Sequence, residues 1–308
     1  MKIVISEFMD GAAVARLQQS FDVLYDPALV DRPDALGPAL ASADALIVRN
    51  RTKVDNSLLA TGAKLKVVGR LGVGLDNIDM PACAERSIKV IPAIGANSQA
   101  VAEYVIAASM LLLRGGFMSS ADVACGGWPR GRLSEGRETA GRVLGLVGFG
   151  GIGQLTAKLA RSLGMTVTAH DPALPDSAEI WGQVGVQPSS LDMLVMGADV
   201  ISLHVPLLAS TRHLFNGALI ARMKPGAILI NTARGGIVDE SALAAALREG
   251  RLSGAALDVF DVEPVPAANP FGGVPNLILT PHIAGVTAES NVRVSQLIAD
   301  QVSAYLLK

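Results

Sequence analysis

The sequence predicts an α/β protein of two parallel-sheet domains, the first of them discontinuous. Three observations predict it. Short β-branched runs alternate along the chain with Ala- and Leu-rich segments of helical spacing, the pattern of βαβ units. Half of the residues are hydrophobic but only 4% are aromatic, so the apolar content is Ala, Val, Leu and Ile, which suits parallel strands covered on both faces. The length, 308 residues, is about twice that of a domain of ~150 residues.

The elements follow in order. Strand-like runs in the first third are Ile3–Ser6, Val23–Tyr25, Ala45–Val48, Lys66–Gly69 and Lys89–Ile91, with helical stretches between them such as Asp10–Gln19 and Asn56–Ala60. Ser98–Arg114 reads as one long, mostly buried helix, ended by Gly115-Gly116. Gly126–Arg142 is rich in Gly and Arg and poor in core candidates, so it reads as a linker or a surface arm. A second series of strands runs Val143–Val147, Thr166–Ala169, Val200–His204, Ala227–Asn231, Gly254–Val259 and Leu277–Thr280. Its helices include Gln154–Leu163, Leu191–Met196, Leu219–Met223 and Glu240–Glu249. A closing helix, Ala288–Tyr305, needs an apolar partner and is expected to pack back on the first domain. The expected division is therefore 1–97 plus 286–308 for the first domain and 98–285 for the second.

Composition excludes several classes. With 26 basic and 28 acidic residues the chain is almost neutral, and it lacks the electrostatic footprint of a nucleic-acid or anionic-membrane partner. Charged residues make up 18%, too few for a disordered chain of this apolarity. Mean hydropathy is high at +0.40, yet the longest apolar stretch, Val105–Leu113, is far short of the ~20 residues of a membrane span. The chain opens directly into a strand-like run, with no signal-peptide pattern. Cys83 and Cys125 lie far apart without a CxxC motif, so both read as buried reduced thiols in a cytoplasmic protein, and no metal is expected.

The strongest local signal is Gly148-Phe-Gly150-Gly151-Ile152-Gly153, a G-x-G-x-x-G run. It follows a strand, opens a helix, and precedes Asp171 at the end of the next strand, eighteen residues after Gly153. That order is the dinucleotide-binding fingerprint. Gly148 allows the tight turn, Gly150 lets a pyrophosphate approach the backbone, and Gly153 lets helix and strand pack closely. The helix N-terminus offers unpaired N–H groups to the phosphates. Asp171 would accept the ribose hydroxyls and repel a 2′-phosphate, which favours NAD over NADP.

Three later segments each follow an apolar strand: Asn231-Thr-Ala-Arg234-Gly-Gly, Asp258-Val-Phe-Asp-Val-Glu263-Pro and Thr280-Pro-His282-Ile-Ala-Gly. Ligands of open α/β sheets bind outside the carboxyl ends of the strands, so Arg234, Asp258, Glu263 and His282 are placed to converge. Singly, each has a plainer reading: a solvated acid, a surface charge, a core histidine.

These segments resemble those of the D-2-hydroxyacid dehydrogenase family, which includes the D-3-phosphoglycerate dehydrogenases. The resemblance covers essentially the whole chain, including Gly69–Asp79, Asn97-Ser98 with Val101-Ala-Glu103, His204-Val-Pro206 and Met223-Lys-Pro-Gly226. It implies Rossmann-like and flavodoxin-like domains, NAD as cofactor, and a catalytic trio of Arg234, Glu263 and His282. Reduction of a 2-keto acid needs a hydride at the carbonyl carbon and a proton at its oxygen. His282 would supply that proton, Glu263 would fix its tautomer, and Arg234 would bind the substrate carboxylate. Asp258 would meet the nicotinamide carboxamide. The resemblance further implies cofactor contacts at His204, Val205, Pro206, Thr211, Thr232, Ala233, Ala284 and Gly285. It implies substrate contacts at Arg49, Arg51, Val73, Gly74, Asn97 and Arg130, the last reaching in from a neighbouring subunit of a homodimer. The arginines suit a second substrate anion; pairing with acids is the equally open alternative.

Two departures from the family matter. Gly151 stands where many relatives carry Arg or His, which removes one pyrophosphate contact. The chain also stops just past its closing helix, so feedback through a C-terminal extension is not expected. Within the family, Ile5–Asp10, Arg49–Thr52 and Gly69–Asp79 look most like (S)-sulfolactate dehydrogenases. D-3-phosphoglycerate and then glyoxylate or hydroxypyruvate are the alternative substrates. An NAD-gated scaffold, like the corepressors that share this fold, is the alternative of another class.

Overall fold

Among the described residues there are twelve strands: β1 (Lys2–Ile5), β2 (Asp22–Tyr25), β3 (Ala45–Val48), β4 (Val67–Arg70), β5 (Lys89–Pro92), β6 (Val143–Val147), β7 (Thr166–His170), β8 (Gln187–Pro188), β9 (Val200–Leu203), β10 (Ile228–Asn231), β11 (Gly254–Leu257) and β12 (Leu277–Leu279). The structure is a computed structural model that describes residues 1–308 apart from 118 and 132. It divides into two units, Met1–Asn97 with Val286–Lys308, and Ser98–Gly285.

In the first unit five parallel strands lie in the order β2-β1-β3-β4-β5. Strand β3 is buried at every position, as expected when helices cover both faces of a parallel sheet. On one face the closing helix, Ala288–Leu306, packs Val294, Ile298, Ala299 and Val302 against Ile3, Ile47 and Val67. Thr287 and Ser290 cap its N-terminus reciprocally, satisfying two of its orphan amide donors. On the other face Leu36, Leu40, Leu59 and Cys83 cover Val4, Leu46 and Val68.

In the second unit seven parallel strands lie in the order β12-β11-β10-β9-β6-β7-β8. Helices Ser98–Arg114 and Gly151–Ser162 supply Val105, Ala108, Leu112, Ala157 and Ala160 to one face. Leu194, Ile220, Leu243 and Leu247 cover the other.

The structure departs from the sequence reading in four places. Helix Gly151–Ser162 begins inside the glycine run, three residues before the expected Gln154, because its first turn is built from residues of low helix propensity. Strand β8 has only two residues, too few to show a periodicity. The arm holds two short helices, Ser120–Ala124 and Arg130–Leu133. Cys83 is buried as expected, but Cys125 is exposed; it sits in that arm, where none of the described residues from 115 to 142 is buried. Among the described residues no helix is long and apolar enough to cross a membrane.

Asp199 ties together the amino ends of the central strands. Its buried carboxylate accepts from the Val143 amide at 2.9 Å and from Lys224 Nζ at 2.7 Å, with Arg142 at 4.0 Å. Burial raises this carboxyl, but the Lys224 and Val143 hydrogen bonds and the charges of Lys224 and Arg142 outweigh it and hold it below 3.8. A carboxyl depressed in the folded state contributes stability that is complete above its unfolded value and is lost as pH falls through the folded one. Asp199→Asn is therefore expected to cost about 1–3 kcal/mol at pH 7. It should also flatten the acid limb of the Tm–pH curve below about pH 5; a curve merely parallel to the wild-type one would overturn this account.

Candidate active site

The strand order reverses at β6, which lies between β9 and β7, and such switch points open a crevice at the carboxyl ends of the strands. Gly148 follows β6 there with φ +96°, and a Cβ on it would lie 2.4 Å from the carbonyl oxygen of His204, the residue after β9. Only glycine meets both conditions. A Cβ at Gly153 would lie 2.6 Å from the Gly148 oxygen, whereas Cβ atoms at Gly150 and Gly151 would meet nothing within 4 Å. The turn is therefore closed toward the sheet and open above it. Phe149 pins it from below, fully buried and stacked on Trp181 with centroids 4.6 Å apart.

The predicted cofactor residues surround this turn. The first amides of the helix, from Gly151 to Gly153, have no intrahelical partner. Asp171 follows β7, and its carboxylate accepts from the Phe149 amide at 2.8 Å and from the Ala173 amide at 2.9 Å. It is thereby oriented beside the turn. Desolvation pushes His204 down to about 4, so its imidazole is neutral at pH 7. Val205 and Pro206 follow it, and Thr211 Oγ1 donates to the Pro206 carbonyl at 2.6 Å, closing that loop. Thr232 Oγ1 is buried without a hydrogen-bond partner. An open glycine cradle at a helix N-terminus, an oriented carboxylate and an orphaned hydroxyl fit a dinucleotide diphosphate.

Strands β10, β11 and β12 are neighbours, and Arg234, Glu263 and His282 follow their carboxyl ends. His282 Nδ1 and Glu263 Oε2 are 2.7 Å apart. Glu263 Oε1 accepts from the Phe260 amide at 3.0 Å. Burial raises the Glu263 carboxyl, but the His282 and Phe260 hydrogen bonds and the charges of His282 and Arg234 outweigh it, leaving it below its ordinary value. Glu263 is thus ionised at neutral pH, and Nδ1 of His282 is the nitrogen that donates. Nε2 is left for other chemistry, on a side chain 42% exposed.

The loops that carry Arg234 and His282 are held by buried polar side chains. Asn231, at the end of β10, accepts from the Ala233 amide at 3.0 Å and donates to the Arg234 carbonyl at 2.9 Å, folding the chain sharply before Arg234. His282 has φ +57°, an uncommon conformation that needs outside support. Asp258 provides it: Oδ1 accepts from Thr280 Oγ1 (2.6 Å) and the Ile283 amide (2.8 Å), and Oδ2 accepts from the Ala284 amide (2.7 Å). The Tyr104 and Thr280 hydroxyls, 2.6 Å apart, extend this network to helix Ser98–Arg114. Sequence reasoning does not reveal these clamps, and it gives Asp258 only a place beside the nicotinamide. Their only trace was a polar residue next to a strand end.

In the first unit the predicted substrate residues are spread over two loops and the end of the unit's first segment. Arg49 and Arg51 follow β3. The Arg49 guanidinium donates to Asn291 Oδ1 at 2.9 Å, whereas Arg51 is ion-paired with Asp31 at the surface. Val73 and Gly74 follow β4, and their amides have no partner among the described residues. Asn97 Oδ1 is buried and unpartnered. In the second unit Arg130 is exposed on the arm, and Gly285 closes the His282 loop.

Residues 106–284 match the family described as D-isomer specific 2-hydroxyacid dehydrogenase, NAD binding domain. The chain belongs to this family. It is an NAD-dependent oxidoreductase that interconverts a 2-hydroxy acid and its 2-keto acid. This dehydrogenase is 54% identical to an (S)-sulfolactate dehydrogenase of Chromohalobacter salexigens, over 97% of this chain and 96% of that one. It is 38% identical to a D-3-phosphoglycerate dehydrogenase of Methanocaldococcus jannaschii, over 99% of this chain but only 57% of that longer protein. Among solved structures, the TT0316 protein of Thermus thermophilus superposes with a TM-score of 0.90 at 34% identity, covering 100% of this chain and 97% of the other.

The dehydrogenase site depends on one close approach. A Cβ at Gly235 would lie 1.8 Å from the Phe260 carbonyl oxygen, so the loop after Arg234 touches the loop that leads to Glu263. The Gly236 amide donates to Asp261 Oδ1 at 2.6 Å and fastens the same contact. Gly235→Ala is expected to spread the two loops and lower kcat by about 100-fold, the cost of displacing reacting groups by ~1 Å. Steady-state kinetics beside a melting curve check this, and an unaltered kcat in a folded variant would refute the contact's importance.

Proposed function

We propose that this dehydrogenase acts on (S)-sulfolactate and its keto acid, sulfopyruvate, with His282 as the acid–base, Glu263 as its partner and Arg234 as the carboxylate anchor. The His282–Glu263 pair carries the assignment of roles. Glu263 holds Nδ1 of His282, so Nε2 gives a proton to the substrate oxygen during reduction and takes it back during oxidation. An ionised Glu263 stabilises the imidazolium present when the proton has not yet left. The Arg234 guanidinium takes the substrate carboxylate through two parallel N–H donors and polarises the neighbouring carbonyl. When bound, the nicotinamide cofactor supplies or accepts the hydride at the carbonyl carbon. Asp258 completes the site as the carboxamide acceptor proposed for the cofactor, besides holding the His282 loop.

The similarity to the Chromohalobacter enzyme supports the sulfonate. Arg51 already pairs with Asp31, which leaves Arg49, beside Glu7 and held by Asn291 Oδ1 and the Phe8 ring, as the guanidinium proposed to take the second anion. Stereochemistry is consistent as well. The sulfomethyl group outranks the carboxylate in priority, so (S)-sulfolactate has the spatial arrangement that carries the label R in D-lactate. D-3-phosphoglycerate remains the second reading, supported by the Methanocaldococcus relative. Val73 and Gly74 amides, Asn97 and Arg130 complete the proposed substrate contacts. A homodimer in the cytoplasm completes the reading; the arm with its exposed Phe117, Val123 and Trp128 supports a subunit contact.

NADH consumption with sulfopyruvate, 3-phosphohydroxypyruvate, hydroxypyruvate, glyoxylate and pyruvate tests the substrate. Sulfopyruvate is expected to have the highest kcat/KM; a preference for the phosphate would select the second reading. No turnover despite NADH binding would mean a cofactor-gated scaffold. His282→Gln is expected to lower kcat by about 10²- to 10⁴-fold, the usual worth of a general acid, while NADH still binds. Loss of NADH binding in that variant would displace His282 from its role. Asp171→Ala is expected to narrow the preference for NADH over NADPH, and an unchanged ratio would count against the ribose contact.

A further inference from the structure

The first unit has its own switch point. Its strand order β2-β1-β3-β4-β5 reverses at β1 and β3, and a crevice is expected between their carboxyl ends. Ser6 and Glu7 leave β1 there, and Arg49, Asn50, Arg51 and Thr52 leave β3. Glu7 is 4% exposed. A buried carboxylate is costly unless its oxygens are filled, and here backbone amides fill them. Oε1 accepts from the Arg49 amide at 2.8 Å and the Thr52 amide at 3.0 Å, and Oε2 accepts from the Arg51 amide at 3.1 Å.

The same turn is held on its acceptor side. Asn77 Nδ2 donates to the carbonyls of Arg49 at 3.2 Å and Thr52 at 2.7 Å. The Ser6 and Thr52 hydroxyls lie 3.0 Å apart. One turn of four residues thus has three amides and two carbonyls clamped by two side chains. The Arg49 side chain is then fixed at its far end by Asn291 Oδ1 at 2.9 Å and lies over the Phe8 ring, 5.9 Å from its centroid. Burial lowers the affinity of this guanidinium for its proton, and the charge of Glu7 opposes that effect. Glu7 therefore acts on Arg49 twice, through the backbone of its turn and through space.

We propose that Glu7 is a positioning residue for substrate recognition: its buried carboxylate sets the Arg49–Thr52 turn and so orients the Arg49 guanidinium, the side chain proposed above to take the second anion of the substrate. The inference rests on the sulfonate reading given above. Glutamine cannot replace Glu7 here. Its amide group keeps one acceptor oxygen and turns two N–H donors toward backbone N–H donors. The turn would shift, and Arg49 with it, while the site around His282 keeps its own clamps at Asp258 and Asn231.

The test compares wild type, Glu7→Gln, Arg49→Gln and the double variant in the full chain, with sulfopyruvate and glyoxylate as matched substrates at saturating NADH. The readout is the ratio of the two kcat/KM values, split into KM and kcat. Glu7→Gln is expected to lower the sulfopyruvate-to-glyoxylate ratio by about 10- to 100-fold, the worth of hydrogen bonds to a charged group, chiefly through the KM of sulfopyruvate. The double variant is expected to lose little more than Arg49→Gln alone, as for residues acting on one contact. A purely structural carboxylate would instead lower both substrates alike, with losses that add in the double variant, and the proposal would fall. If Arg49→Gln lowers the ratio and Glu7→Gln does not, Glu7 loses its role and the substrate reading stands. If the wild type shows no preference for sulfopyruvate, the substrate reading fails and takes the proposal with it. Should Glu7→Gln not fold, Asn77→Ser loosens the same turn from its carbonyl side. A lowered ratio there supports positioning through the turn, and an unchanged ratio overturns it.

Discussion

Parallel pairing makes every strand of a sheet end on the same edge, and both sheets of this dehydrogenase are parallel throughout. The second unit uses that edge repeatedly. Gly148 and His204 leave β6 and β9 at the strand-order reversal, and Arg234, Glu263 and His282 leave β10, β11 and β12 beside it. The strand ends bring the three loops side by side, and the Gly235–Phe260 contact closes two of them on each other. Adjacent strands with a fixed spacing of about 4.8 Å deliver three side chains from three distant parts of the sequence.

What turns this proximity into geometry is a set of hydrogen-bonded buried polar residues. Asp258, Asn231, Asp199 and Glu7 are all nearly inaccessible; Asp258, Asp199 and Glu7 gather donors from neighbouring segments, and Asn231 bridges the Ala233 amide and the Arg234 carbonyl of its own loop. Leaving such groups unpaired would cost about 1–3 kcal/mol each. The penalty enforces one loop conformation over its alternatives, including the positive φ of His282. Buried residues thus decide where the exposed loops at the strand ends stand.

The charges are arranged in pairs. Glu263 faces His282, Asp31 faces Arg51, and Glu7 lies close to Arg49. In the first pair an ionised carboxylate fixes Nδ1 of His282 as the ring nitrogen that donates. The other two leave each arginine beside a carboxylate. A guanidinium reads an oxyanion through paired N–H donors, so its direction matters more than the net charge around it.

Much of the fold was legible in the sequence, and so were the strand ends at which the candidate residues stand. The alternation of β-branched and Ala/Leu-rich runs marks parallel sheets because the βαβ period is local. The fingerprint from Gly148 to Gly153, with Asp171, is legible because a turn, a helix start and the next strand end lie within one short stretch. Arg234, Glu263 and His282 stand out because each closely follows an apolar run. Tertiary structure alone decided the rest. The two-residue β8 forms only because β7 offers it an edge, and Cys125 is exposed because its arm finds no core in this chain. Glu7 is forty-two residues from Arg49 and shares no local pattern with it. Their bond exists because β1 and β3 are neighbours in the sheet. The sequence by itself determined the strands and the candidate residues that stand at their ends. Strand pairing decided which partners face them, because a hydrogen bond needs a position in space that no local spacing specifies.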